Sequence, residues 1–152
     1  MKVLTLTQPW ASLVANGSKK IETRSWRTNY RGPIAIHAAK GFPKWAQDEC
    51  ALPAFRDAIW PLTVSMLPTG VILCTTTLID CKAMGNEDAD PHFDDDTLFD
   101  IGWGLTPSER RFGNYEDGRF AWILSDINVL AEPISAKGAL GLWEFPISEV
   151  AA

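Results

Sequence analysis

The sequence has few cysteines and no long hydrophobic run. Its three cysteines, Cys50, Cys74 and Cys81, are an odd number without a C-x-x-C pair, which argues against a disulfide framework and a structural zinc site. We expect three buried thiols. Apolar runs such as Val71 to Cys74 stop within a few residues, whereas a membrane-spanning helix needs about 20. We therefore expect no membrane insertion. Because residues 1–5 alternate like a strand instead of opening a signal peptide, we expect a cytoplasmic protein.

Common catalytic and cofactor-binding motifs are also absent. The chain contains no G-x-S-x-G, P-loop or G-x-G-x-x-G pattern, so the commonest signatures of hydrolases, NTPases and dinucleotide-binding enzymes are missing. Of its two histidines, His92 lies near Asp90, Asp94 and Asp96 without the spacing of an EF-hand loop. A solvated acidic loop is favoured there, and neither a metal nor a cofactor is expected.

The charge is unevenly distributed along a chain of ordinary globular composition. The 152 residues are 46% hydrophobic and 22% charged, with a net charge of −5. Residues 1–45 carry eight Lys and Arg against one Glu, whereas residues 86–117 carry ten Asp and Glu against two Arg. Trp10, Trp26 and Tyr30 lie in the basic part. Aromatic and basic side chains together are suited to stacking on bases and neutralising phosphates.

The hydrophobic pattern predicts a mainly β fold with helices attached. Helical spacing indicates a short helix over 9–16, capped by Thr7 or Gln8, and a longer helix from Pro43 to about Trp60 that Pro53 kinks or breaks. The inward residues expected on the longer helix are Trp45, Ala46, Cys50, Phe55 and Ile59. Period-two alternation predicts strands at 2–7, 20–26, 33–38, 70–80, 120–124, 129–134 and 141–145.

These elements predict an α+β, mainly β fold in one domain of residues 1–152: a small β-barrel of about six strands with two or more flanking helices. The first three strands are expected to be neighbours. Residues 82–118 form an acidic excursion with the aromatic residues Phe93, Phe99, Trp103 and Phe112. Because aromatics favour burial and acidic charge is attracted to basic charge, we expect a lid or rim over the basic part.

Several short segments form a recognisable series. The first runs from Leu4 to Ala11, and the second, Gly17 to Arg24, has the form G-x-K-x-x-E-x-R. The others are Ser25-Trp26, Tyr30 to Ala38, Phe120 to Trp122, Pro133, Lys137-Gly138 and Gly141 to Trp143. In this order they resemble the ASCH domain family, whose fold is PUA-like. The resemblance covers nearly the whole chain except the acidic excursion, and it implies a small β-barrel with a cleft beside Gly17 to Arg24.

The resemblance implies that RNA, DNA or a nucleotide-like ligand binds in that cleft. Some relatives are enzymes: one bacterial branch hydrolyses N4-acetylcytidine with a motif Lys, a Thr three residues later as nucleophile and a Glu elsewhere, and another is a metal-dependent ribonuclease. Here the Lys corresponds to Lys19, and Glu22 occupies the Thr position. Thr23 is adjacent but points to the opposite side of an extended strand. The covalent route therefore loses its nucleophile.

Strand geometry also predicts a site at this motif. Glu22 and Arg24 share a face and can form a charge pair, and Glu22 can accept a hydrogen bond from the exocyclic amine of a base. Lys19, Arg27, Arg31 or Lys40 can meet phosphate. The alternative is a structural ion-pair network closing the barrel. The predicted ligand-binding residues are Gln8, Trp10, Lys19, Glu22, Arg24, Trp26, Tyr30, Arg31, His37, Lys40 and Lys137, with His37 expected on the cleft side or at the surface.

The leading hypothesis is a binding module for single-stranded RNA or DNA or for a nucleoside-like small molecule. The alternative is a small hydrolase of a modified nucleoside or of RNA. Its catalytic residues would be Lys19 and Glu22, with Glu22 or an acidic residue from 86–117 as general base. A protein-interaction module is a third hypothesis. The sequence leaves the oligomeric state and the identity of the ligand open.

Overall fold

The computed structural model describes residues 1–85 and 106–146. Residues 86–105, which include Phe93, Phe99, Trp103 and His92, lie outside the described part. The predicted lid falls mostly on these residues and stays a prediction.

Six strands, four α-helices and one 3-10 helix are assigned within the described ranges. The strands are β1 (Lys2–Leu6), β2 (Ile21–Arg24), β3 (Gly32–Ala38), β4 (Val71–Ala83), β5 (Phe120–Ser135) and β6 (Leu142–Glu144). The helices are α1 (Trp10–Ala15), α2 (Lys44–Glu49), α3 (Pro53–Ile59) and α4 (Pro107–Arg111), with a 3-10 helix at Val64–Met66. The predicted fold class, α+β and mainly β with about six strands, is confirmed. No helix in the described ranges is both long enough and apolar enough to cross a membrane.

The strands form a mixed sheet in the order β2-β5-β4-β3-β1-β6. β1 pairs in parallel with β3, from Lys2 opposite Ile34 to Leu6 opposite Ala38. On its other edge β1 pairs antiparallel with β6. The prediction that the first three strands are neighbours is wrong for β2, which pairs antiparallel with β5. Proximity along the chain favoured β2 beside β3, but the sheet places two other strands between them.

The chain divides into two compact units. Unit 1 comprises the described parts of 1–19, 33–77 and 126–152, and unit 2 those of 20–32 and 78–125. A cluster of buried side chains in unit 1 consists of Val3, Ala35, Ile72 and Leu130, with Trp143 and Phe145 packed against it. The corresponding cluster in unit 2 consists of Ile21, Met84, Ala121 and Ile123, with Tyr115 packed against it.

Two strands predicted at 120–124 and 129–134 are in fact one, β5. Residues 125–128 separate the two predicted strands, but the strand of the structure continues through them. Asp126 adopts φ 52°, a left-handed conformation that Asp tolerates better than most residues. A local irregularity at Asp126 is therefore accommodated without ending the strand.

The long helix predicted over 43–60 is broken, as expected, at Pro53, which lies in the first turn of α3. Of its predicted inward residues, Ala46, Cys50, Phe55 and Ile59 are buried. Trp45 is the exception at 62% exposed. Ala46 and Cys50 are four residues apart and define the buried face of this segment, and Trp45 lies about 100° away from Ala46 around the helix axis. Its ring contacts Trp10 at a centroid distance of 5.7 Å.

The start of α1 depends on the side chain of Gln8, one of the two predicted caps. The Gln8 Oε1 atom accepts a hydrogen bond from the Ser12 amide at 3.0 Å, which satisfies a backbone donor of the first turn. Its Nε2 group donates to the Pro68 carbonyl at 2.7 Å. Gln8 is fully buried, so this amide both caps the helix and fixes the segment that precedes β4.

The three cysteines are free and buried, as the sequence predicts. Burial raises the pKa of the Cys74 thiol to about 12. It also raises the pKa values of Cys50 and Cys81. These thiols are therefore protonated at neutral pH and are poor nucleophiles and metal ligands.

A buried carboxylate from α4 fixes the start of β2 within unit 2. Thr106 caps α4 by accepting a hydrogen bond from the Glu109 amide at 3.0 Å. The Glu109 side chain, in a residue that is 4% exposed, accepts from the backbone N–H groups of Lys20 at 2.9 Å and Ile21 at 3.2 Å. The sequence pattern does not reveal this contact, because Glu109 is one of ten acidic residues in 86–117 and nothing in the spacing distinguishes it from the others.

Replacing this carboxylate should destabilise the protein. Glu109→Gln retains one carbonyl oxygen but loses the second acceptor and the negative charge, so one buried N–H group is poorly paired. We expect the free energy of unfolding to fall by about 1–3 kcal/mol, measured by urea denaturation. The control Glu116→Gln removes an exposed carboxylate of the same segment and should change it by less than about 0.5 kcal/mol. Equal stability of the two variants would contradict the anchoring role.

Candidate nucleic-acid binding site

The Gly17 to Arg24 motif begins where α1 ends. Gly17 adopts φ 82°, a conformation that glycine enters without steric cost, and the Lys19 amide donates to the Leu13 carbonyl at 3.0 Å. These contacts reverse the chain direction after the helix. Lys19, in unit 1, is only 1% exposed. A buried lysine is uncommon because its charge must be compensated.

The next part of the motif, in unit 2, holds the predicted charge pair. Glu22 is 7% exposed, and its Oε1 atom lies 3.7 Å from Arg24 Nη1. The Arg24 guanidinium lies 5.9 Å from the centre of the Trp26 ring, within the range of a cation–π contact. Trp26 packs edge-to-face on Trp122 at a centroid distance of 4.6 Å. The end of β2 and the residues after it thus place a carboxylate, a guanidinium and an aromatic ring next to one another in unit 2.

Thr23, between the members of the charge pair, has a structural role. Its Oγ1 atom accepts a hydrogen bond from the Asn114 amide at 2.9 Å. A Cβ atom added at Gly113 would lie 3.0 Å from the Thr23 Cγ2 atom, so the Thr23 side chain is closely packed. The alternation along β2 places it opposite Glu22. The hydroxyl of Thr23 is therefore not beside the carboxylate.

Tyr30 and Arg31 lie in the loop before β3. Arg31 donates from Nη1 to the Thr28 carbonyl at 3.0 Å and to the Tyr30 carbonyl at 2.9 Å. Its Nη2 atom lies 3.2 Å from an Asp80 carboxylate oxygen. The Tyr30 hydroxyl packs over Gly32, because a Cβ atom there would lie 3.0 Å from it. The guanidinium of Arg31 holds this loop together, and a phosphate contact from Arg31 stays a prediction.

A pocket of about 970 Å³ in unit 1 brings together three of the predicted residues, His37, Lys40 and Lys137. Thr5, Thr69 and Ser135 add hydroxyl groups to its lining, and the remaining lining residues are Ala39, Gly70, Ala136, Gly138, Ala139 and Leu140. We call this the His37 pocket. Gln8 and Trp10, also in unit 1, do not line it. Gln8 caps α1, and Trp10 packs between Trp45 and Phe55.

His37 is held in one orientation by two hydrogen bonds. Its Nε2 atom lies 3.0 Å from the Ala136 carbonyl, which can only accept, so Nε2 carries a proton. Its Nδ1 atom lies 3.2 Å from Thr5 Oγ1, and Thr5 in turn accepts from the Trp143 indole at 3.0 Å. Burial lowers the pKa of His37 below its ordinary value of 6.5. At neutral pH the ring is therefore uncharged, with Nδ1 accepting the Thr5 hydroxyl proton.

His37 is 1% exposed, so it does not lie at the surface, the second of its two expected positions. It lines a pocket instead. Its ring contacts Thr5 of β1 and Ala136 in the segment after β5. The sequence pattern of β3 alone did not reveal these contacts. Thr5 and Trp143 were also missed as site residues. The Thr5 contact follows from the parallel register that sets Thr5 opposite His37, which requires knowing that β1 and β3 pair.

Gly138 lies directly against the His37 ring. A Cβ atom at this position would lie 2.7 Å from His37 Cε1, 2.9 Å from His37 Nδ1 and 3.1 Å from Thr5 Oγ1. Because the ring is fixed by hydrogen bonds, it cannot move aside easily. Only glycine allows this close approach, and the approach places the adjacent Lys137 at the pocket.

Groups of three or more His, Cys, Asp or Glu side chains arranged to hold a metal ion are not found within residues 1–85 and 106–146. The acidic group around His92 lies outside the described residues.

Comparisons with known proteins give a consistent result. The family model for the ASCH domain matches residues 4–137. Activating signal cointegrator 1 of Mus musculus is 38% identical over 84 residues, which cover 51% of this chain and 14% of that protein. The Homo sapiens protein of the same name is 37% identical over 84 residues, with the same coverage. The similarity therefore spans only a small part of these much longer relatives.

The close approach of Gly138 predicts a specific sensitivity to substitution. Gly138→Ala should force the segment after β5 away from His37 and lower the free energy of unfolding by about 1–3 kcal/mol, as overpacking does. Gly41→Ala is the matched control, because no atom lies within 4 Å of a Cβ atom added there. Thermal and urea denaturation of both variants would check this. A Gly138→Ala variant as stable as Gly41→Ala would contradict the packing.

Proposed function

The chain belongs to the ASCH domain family, and from that premise we propose that it binds a base of single-stranded nucleic acid, or a nucleoside-like ligand, through the Gly17 to Arg24 motif. The observation that carries the proposal is the burial of the Glu22 carboxylate beside Arg24 in unit 2. Removing charges from water has a large free-energy cost. Such groups are often retained where they recognise a ligand.

The chemistry of Glu22, Arg24 and Trp26 is suited to a base. A carboxylate accepts hydrogen bonds from an exocyclic amine such as the N4 group of cytosine. The guanidinium of Arg24 is close enough to attract and orient that carboxylate. The ring of Trp26 offers an aromatic surface next to them, and base–aromatic stacking contributes about 1–3 kcal/mol per base.

The structural alternative is an ion-pair network without a ligand. The 3.7 Å between Arg24 Nη1 and Glu22 Oε1 is longer than the roughly 2.7–2.9 Å of a charge-assisted hydrogen bond. Arg24 therefore attracts the carboxylate without a short hydrogen bond to it. The Glu22 variant described below separates ligand recognition from a purely structural role.

The same residues support binding over covalent acyl transfer. The covalent route implied by the resemblance to the N4-acetylcytidine branch needs a hydroxyl at the Glu22 position. The adjacent hydroxyl of Thr23 accepts a backbone hydrogen bond on the other side of the strand. A carboxylate such as Glu22 can also act as a general base for water. The hydrolase hypothesis therefore needs an experiment that distinguishes turnover from binding.

Binding should depend on the charges of the motif. We expect Glu22→Gln and Lys19→Met each to weaken binding of a single-stranded oligocytidine RNA by about 1–3 kcal/mol, the free energy of losing a charged hydrogen-bonding partner. Fluorescence anisotropy would measure the affinity. Glu116→Gln and Lys44→Met make the same changes at exposed positions outside the motif and should have little effect.

Two further measurements complete this test. Binding of the oligonucleotide should weaken steeply with salt, because phosphate contacts release counterions. Circular dichroism and thermal denaturation must show that the motif variants are folded. Folded Glu22→Gln and Lys19→Met variants with unchanged affinity would contradict the proposal.

Hydrolysis of N4-acetylcytidine is expected to be negligible. The chain has Glu22 where the covalent route requires a hydroxyl, so no acyl intermediate can form by that route. Chromatographic measurement of cytidine released from N4-acetylcytidine would check this. Robust turnover that Glu22→Gln abolishes, while Glu116→Gln does not, would replace the binding module with a hydrolase that activates water.

A further inference from the structure

The lysines of the His37 pocket differ from most other lysines of the chain. Lys40 and Lys137 line the pocket and form no ion pair with any residue of 1–85 or 106–146. No Asp or Glu is found among the described residues that line it. By contrast, Lys2 pairs with Glu144, Lys44 with Asp48 and Lys82 with Asp80. The pocket therefore concentrates positive charge that no carboxylate of the described lining offsets.

We propose that the His37 pocket binds the phosphate group of a small phosphorylated ligand. A phosphate monoester carries about −1.5 to −2 charges at pH 7, which two lysines match. Lysine is a common phosphate ligand and acts on it as a point charge. The described lining residues include two lysines, and Thr69 and Ser135 add hydroxyl groups that can donate hydrogen bonds to phosphate oxygens.

The size and rim of the pocket leave room for the rest of the ligand. Its volume of about 970 Å³ lies at the upper end of the roughly 300–1,000 Å³ found for small-molecule sites. A phosphate group fills only a small part of this space. Leu140 lines the pocket and is 98% exposed, so it offers an apolar contact to an organic group. A nucleoside monophosphate has both the phosphate and such a group.

Both lysines extend from backbone that is fixed by packing. Lys137 precedes Gly138, whose backbone lies against the His37 ring. The Lys40 Cβ atom lies 3.7 Å from the position of a Cβ atom at Gly70, so its stem is packed on that glycine. The uncharged His37 of the same lining adds no third positive charge. The two ammonium groups therefore carry the electrostatic attraction.

This inference does not depend on base recognition by the Gly17 to Arg24 motif. Inorganic phosphate has no base, and its binding should be the same in the Glu22→Gln variant as in the original chain. Failure of one proposal is thus distinguishable from failure of the other.

The test is a titration with three probes: inorganic phosphate, cytidine 5′-monophosphate and cytidine. In two-dimensional NMR spectra, inorganic phosphate should cause saturable shifts of the Lys137 and Gly138 amide signals. By calorimetry, Lys40→Gln and Lys137→Gln should each weaken cytidine 5′-monophosphate binding by about tenfold or more, as expected for the loss of a charge-assisted contact. Lys44→Gln is the matched control, because it removes the same charge from the surface outside the pocket.

The source of the phosphate is tested with a single-stranded RNA that lacks terminal phosphates. If this RNA bound through Lys40 and Lys137 while inorganic phosphate and cytidine 5′-monophosphate did not, the pocket would contact a nucleic-acid backbone and the proposal would be wrong. Absence of saturable phosphate shifts would also overturn it. So would Lys40→Gln and Lys137→Gln variants that bind cytidine 5′-monophosphate as tightly as Lys44→Gln does.

Discussion

Buried polar side chains that satisfy backbone groups are the constraint on which the rest of this structure depends. The Gln8 amide bonds to Pro68, 60 residues away, the Glu109 carboxylate to Lys20, 89 residues away, and the His37 ring to Ala136, 99 residues away. A helix or strand leaves some backbone groups unpaired where it begins or ends. Each of these contacts fixes the chain near such a place. A buried polar group that loses its partner destabilises the fold. These contacts therefore hold in position the neighbouring loops that carry the motif and the His37 pocket.

Local features of the fold could be predicted because they depend on short-range physics. The alternation in β1 and β3, the break at Pro53 and the cap from Gln8 all follow from residues close in sequence. The pairing of β2 with β5 could not be predicted, because it is decided by which strands cover each other's faces after folding. The continuity of β5 was missed because residues 125–128 include Ser, Asp and Asn, residue types that favour turns.

The candidate site shows the same division between local and distant information. The Glu22–Arg24 pair follows from a spacing of two on a strand, and it is present. From sequence alone, Arg31 and Lys40 were equally good candidates for a phosphate contact. Arg31 is held by Asp80, 49 residues away, whereas Lys40 faces a pocket whose described lining has no acidic residue. Only the surroundings of the two cations distinguish them, and distant parts of the chain form those surroundings.

The position of β1 between β3 and β6 has a consequence for folding. Its partner β3 is available once about a quarter of the chain exists, but its partner β6 lies at Leu142–Glu144. Contacts between residues so far apart in sequence require a long loop to close, which costs conformational entropy and slows the folding of a domain. During synthesis one edge of β1 therefore stays without its partner until almost all of the described chain has been made. Until then it is an open strand edge, the kind of surface on which chains aggregate or recruit chaperones.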